Sequence, residues 1–190
     1  MAYFPFFTDI KDMNCMIIGG NKHALEKVER LLPYEVNITL IDKNPMEEIE
    51  KFDIKILKEN FDFSMLDTAD FVVTCSSEKE LNKQIADECK RRRIPVNSVD
   101  DVENCTFIFP SLIKKGKLSV GISSSGASPY MTRYLKEKLL EIIPENTEEI
   151  LDKLEELRPI IKAKYPDEKE RKEAFKRAFL ELAMSNEQLK

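Results

Sequence analysis

Asn14-Cys15-Met16-Ile17-Ile18-Gly19-Gly20-Asn21-Lys22-His23-Ala24 begins as a short apolar run and breaks at two adjacent glycines. Such a run, without polar alternation and ended by Gly-Gly, predicts a strand buried on both faces that enters a tight turn. Ala24, Leu25, Val28, Leu31 and Leu32 then recur at helical spacing over residues 22–32, and Pro33 closes the helix. Val36 to Ile41 is a second apolar run that ends at Asp42. Strand, glycine turn, helix, strand and terminal acid together make a βαβ unit.

The turn carries chemistry as well as topology. Gly19 to Ala24 fits the dinucleotide pattern G-x-G-x-x-G/A at its first and last positions, with Asn21 where the second motif glycine belongs. Asp42 follows at the expected distance, about twenty residues beyond the turn. The pattern places Gly19, Gly20, Asn21, Lys22, His23 and Ala24 near the phosphates. It places Asp42, with Lys43 beside it, at the adenosine ribose; Ser76 is a further candidate cofactor-binding residue. Asp42 can accept both ribose hydroxyls and would repel a 2′-phosphate, so NAD is favoured over NADP. A plain strand-to-helix turn is the alternative for a lone Gly-Gly pair.

Further along, residues 54–57 and 70–75 are strand-like, and 81–93 is helix-like, with Arg91, Arg92 and Arg93 at its C-terminal end complementing the helix dipole. Pro95 to Val99 leads to Asp100, and 106–109 reads as one more strand. This alternation predicts an α/β fold, a Rossmann-like doubly wound parallel sheet. After Pro110 the texture changes. Residues 111–117 are polar and lysine-bearing, 118–122 alternate as a strand, and Ser128-Pro129 opens a helix to about Ile143. Asn146 with Glu149, and Asp167 with Glu170, are capping-box signatures for two final helices, the first bent or interrupted at Pro159. The boundaries expected are a nucleotide domain at 1–109, a segment of different texture at 110–143, and a helical domain at 144–190.

The 190 residues carry a formal net charge of -5, against general duplex binding, so no nucleic-acid partner is expected. No window approaches the apolar length of a membrane span, and the aromatic N-terminus lacks a basic region, so neither membrane nor export is expected. Cys15, Cys75, Cys89 and Cys105 form no C-x-x-C pair, and His23 is the only histidine. They predict reduced thiols in a cytoplasm and no metal site.

Several motifs resemble one family, the precorrin-2 dehydrogenases that form the dehydrogenase and ferrochelatase module of siroheme synthases. Tyr3-Phe4-Pro5-Phe6-Phe7 is similar to the family's opening, and Gly19 to Ala24 to its glycine turn. Asn97-Ser98-Val99-Asp100 is similar to its N-x-V-D, Phe107-Ile108-Phe109-Pro110-Ser111 to its F-I-x-P-S, and Ser123-Ser124-Ser125-Gly126-Ala127-Ser128-Pro129 to its serine loop. The resemblance implies NAD-dependent oxidation of precorrin-2 to sirohydrochlorin in a homodimer, with 110–143 as its dimerisation and substrate segment and Fe²⁺ insertion added in bifunctional members. It implies Asp100 as the catalytic carboxylate and Ser124 at the tetrapyrrole. A carboxylate-rich substrate also calls for donors and positive charge, which Ser125, Ser128 and Arg133 supply beside Lys114, Lys115, Lys117 and Lys136. A non-catalytic dinucleotide sensor or scaffold is the reading from another class, left open by Asn21.

Overall fold

The computed structural model describes residues 3–99 and 101–184. The chain forms two compact units that divide between Phe109 and Pro110.

The N-terminal unit is a parallel sheet of β1 (Asn14–Ile18), β2 (Asn37–Ile41), β3 (Lys55–Leu57), β4 (Phe71–Thr74) and β5 (Val96–Ser98), in the order β3-β2-β1-β4-β5. Its helices are α1 (Lys22–Leu31) and α2 (Lys79–Arg92). Side chains alternate across a strand, so the unbroken apolar run of β1 serves two cores. Cys15 and Ile17 pack with Ala24, Val28 and Leu31 of α1 on one face. Met16 and Ile18 pack with Ile85, Ala86 and Cys89 of α2 on the other. Val28 and Ile85 are fully buried, each stabilising the unit by about 1.5–3 kcal/mol. The chain leaves β1 for β2 on one side and reaches β4 on the other. The crevice between β1 and β4 is therefore the switch point where open α/β sheets bind ligands.

The expected strand at 106–109 does not form. The outer edge of β5 is already taken: Thr106 Oγ1 accepts from Val96 N at 2.8 Å, Thr106 N donates to Val96 O at 2.8 Å, and Cys105 Sγ accepts from Ser98 N at 3.2 Å, while Asn97 Nδ2 donates to Phe107 O at 3.1 Å. With those groups taken, no ladder extends outward. Phe107 instead packs edge-on against Phe71 and Phe109, and Lys27 Nζ lies 4.2 Å from the centre of the Phe109 ring.

The C-terminal unit holds an antiparallel hairpin of β6 (Ser111–Lys115) and β7 (Leu118–Ile122), then α3 (Pro129–Ile142), α4 (Thr147–Lys164) and α5 (Glu168–Met184). The polar segment after Pro110 is thus a strand. Of its residues only Ile113 is buried, which hid the alternation. Lys117 at the hairpin tip pairs with Asp152 at 2.8 Å and with Glu155 on α4. Pro159 does not interrupt α4, which continues through it with buried Ile150 and Ile161 on either side. The capping box at Asn146 is also absent: its backbone (φ -89°, ψ 25°) lies outside the extended region a cap needs, and its side chain makes no cap bond. Asp167 does cap α5, accepting from Lys169 N at 2.9 Å and Glu170 N at 3.0 Å.

Candidate functional site

The β1–α1 turn is built by close approach of backbone to backbone. Gly19 has φ +110°, and a Cβ there would stand 2.7 Å from the carbonyl carbon of Cys75 and from Ser76 N. A Cβ on Gly20 would stand 2.6 Å from Pro45 Cα. The turn is thereby wedged between the end of β4 and the loop after β2, which brings the predicted residues together. Asp42 Oδ2 accepts from Gly20 N at 2.7 Å, and Oδ1 accepts from Asn44 N at 2.8 Å. Each oxygen keeps a lone pair at this half-buried edge, so the carboxylate can still receive ribose hydroxyls. Lys22, His23 and Lys43 are exposed around the turn.

Asn21 is the N-cap of α1. Its Oδ1 accepts from His23 N at 2.9 Å and Ala24 N at 3.2 Å, and its Nδ2 donates to Cys75 O at 2.6 Å. The Cys75 thiol donates to Ile18 O at 3.4 Å, and burial pushes it up to about 12, so it stays protonated and unreactive. The turn's close packing, the start of α1 at the sheet edge and the strand-end acid are features that fit a dinucleotide.

Ser76 leaves β4 at the same edge and is held by a residue that sequence reasoning missed. Asn82 of α2, buried, accepts from Thr74 Oγ1 and from Ser76 N (3.1 Å) through Oδ1 and donates to Ser76 O at 2.7 Å through Nδ2. The available signal was a polar residue three positions before Ile85, on the buried stripe of the helix. Asn82→Ala would leave those groups without partners. It is expected to cost about 2 kcal/mol, read as a lower urea midpoint, with NAD affinity reduced through the displaced Ser76 loop.

Asp100 lies outside the described residues. The loop on either side of it is closed at its neck: Val99 N donates to Thr74 O at 2.9 Å, and Cys105 Sγ is within 3.2 Å of both Ser98 N and Ser98 O. Asp101 is occupied locally, accepting from Asn104 Nδ2 at 2.7 Å and Asn104 N at 3.3 Å.

In the C-terminal unit the serine loop is satisfied largely by itself. Ser124 Oγ accepts from Ser128 N at 3.0 Å and donates to Ser128 O at 3.1 Å, while Ser128 Oγ caps α3 through Met131 N at 3.1 Å. Ser125 takes a left-handed backbone at φ 52°, followed by Gly126 at φ 86°. Arg133 is exposed on α3. Among the described residues no cluster of His, Cys, Asp and Glu could hold a metal ion, and no helix is long and apolar enough to cross a membrane.

Comparison with known proteins places this geometry among relatives. The siroheme synthase of Zymomonas mobilis subsp. mobilis is 33% identical over 183 residues, which are 94% of this chain and 39% of that protein. That of Buchnera aphidicola subsp. Acyrthosiphon pisum is 34% identical over 183 residues, again 94% and 39%. The chain thus spans about two fifths of the length of these relatives. The solved structure of SirC, precorrin-2 dehydrogenase, shares the fold with a TM-score of 0.72 at 21% identity, covering 96% of this chain and 100% of that one. A family model described as "Putative NAD(P)-binding" matches residues 6–111. That span is more than half of the chain and encloses the whole turn with Asp42 and Ser76, so the chain belongs to this NAD(P)-binding family.

Proposed function

We propose that this chain is a precorrin-2 dehydrogenase that uses NAD and works as a cytoplasmic homodimer. The observation that carries the reading is the wedged glycine turn with Asp42 bonded to Gly20 N, in a chain that siroheme synthases match over 94% of its length. Oxidation of precorrin-2 to sirohydrochlorin removes a hydride and a proton. Bound NAD supplies the hydride acceptor. Asp100, two residues past the end of β5 in the sequence, takes the proton as general base. Asp42 holds the adenosine ribose by its free lone pairs. The serine loop with Ser124 and Ser125, the α3 N-terminus at Ser128, and Arg133 receive the carboxylates of the macrocycle.

The dimer reading rests on α3. Tyr130, Met131, Tyr134, Leu135 and Leu140 are all exposed along it, an apolar surface that a second copy of the chain would cover. The four free thiols accord with a reducing compartment.

Cofactor choice gives a direct test. Asp42→Asn removes the charge that repels a 2′-phosphate. The ratio of kcat/KM for NAD over NADP, measured with precorrin-2 under anaerobic conditions, is expected to fall about tenfold, equivalent to about 1.4 kcal/mol. An unchanged ratio would show that Asp42 does not face the ribose.

A further inference from the structure

We propose that Asn21 is an internal stand-in for the dinucleotide phosphate: it occupies the N–H groups of α1 in the free chain and must give them up when the cofactor binds. The inference rests on the turn's being the NAD site. Helix N-terminal N–H groups need an acceptor, and an anion or a side-chain oxygen can serve. Here the acceptor is already supplied, since Asn21 Oδ1 holds both His23 N and Ala24 N. The other end of the same carboxamide reaches Cys75 O at 2.6 Å, so the side chain spans the crevice between the start of α1 and the end of β4. That crevice separates β1 from β4, where the strand order reverses and a pyrophosphate crosses in folds of this kind. Gly20 N is likewise engaged, by Asp42. The N–H groups of Gly20, His23 and Ala24 therefore all have protein acceptors before any cofactor arrives.

The backbone gives no reason for a glycine at this position. Asn21 has φ -91° and ψ -173°, an ordinary extended conformation that any residue adopts. What a motif glycine would change is the side chain alone, by leaving the donors open. Asn21 thus lowers NAD affinity by competing for the phosphate's partners, and it keeps α1 capped when the site is empty.

The test compares wild type, Asn21→Gly and Asn21→Ala by calorimetric titration with NAD and by thermal unfolding without it. Both variants are expected to bind NAD about fivefold to tenfold more tightly and to unfold at a lower temperature when cofactor-free. Equal or weaker NAD binding by both variants would overturn the inference while leaving the turn as the NAD site. Failure of wild type and both variants to bind NAD at all would overturn the cofactor reading and the inference with it. A second measurement needs no variant: the Asn21 side-chain NH₂ signals in the NMR spectrum of the wild-type chain are expected to shift on saturation with NAD as the bond to Cys75 O is lost. Unmoved signals at saturation would contradict the exchange.

Discussion

Asp100→Asn is expected to lower kcat for precorrin-2 oxidation by about 10²–10³-fold, in the range of a lost general base. NAD affinity and the thermal midpoint should stay within experimental scatter of wild type. The carboxamide has nearly the shape of the carboxylate but cannot accept the proton released as the hydride leaves. The neighbouring acid is not a substitute, because Asp101 is bonded to Asn104 through both carboxylate oxygens. The check is a steady-state comparison under anaerobic conditions, paired with calorimetric NAD titration. A variant that keeps more than about a third of wild-type kcat would remove Asp100 from the chemistry.

Gly19→Ala carries the largest expected effect on the fold of the site. At φ +110° an L side chain is strained, and its Cβ would stand 2.7–2.8 Å from three backbone atoms of Cys75 and Ser76, none of which can swing aside. Strain and overpacking together should cost about 2–4 kcal/mol, and the β1–α1 turn must lift away from β4. NAD binding is expected to fall beyond detection. Gly121→Ala is the contrast: its backbone is not left-handed, and its Cβ would meet Pro110 Cγ at 3.2 Å, a contact a small shift relieves. Urea midpoints and NAD titrations on the two variants should separate sharply. Similar behaviour would mean that the turn is not wedged as described.

The half of the fold that was legible in the sequence is the half where local pattern and burial say the same thing. β1, α1 and β2 were readable because one βαβ unit buries both faces of its strand and one stripe of its helix, and the glycine turn punctuates it. Residues 106–109 look equally strand-like, yet strand formation needs a free neighbouring edge. Thr106 and Cys105 consume that edge, and Asn97 takes the Phe107 carbonyl, with side-chain bonds that a hydrophobicity pattern cannot register. The segment at 111–115 failed in the opposite sense. Its strand presents lysines and half-exposed residues, and only its pairing with β7 defines it.

The site divides in the same way. Gly19, Gly20 and Asp42 could be found because a motif spacing encodes their meeting. The departure at Asn21 could be seen, but its three hydrogen bonds could not, since they depend on where the end of β4 lies relative to α1. Asn82 was invisible as a partner of Thr74 and Ser76 for the same reason: an isolated asparagine on a helix does not announce what it faces.

The most direct measurement is anaerobic oxidation of precorrin-2 by the purified chain with NAD in limiting amount, following NADH and sirohydrochlorin in the same cuvette. The expected result is that both accumulate in equal amounts, at a rate proportional to protein, and stop together when NAD is exhausted. Sirohydrochlorin and NADH rising no faster than in a protein-free control, while the chain still binds NAD, would contradict dehydrogenase activity.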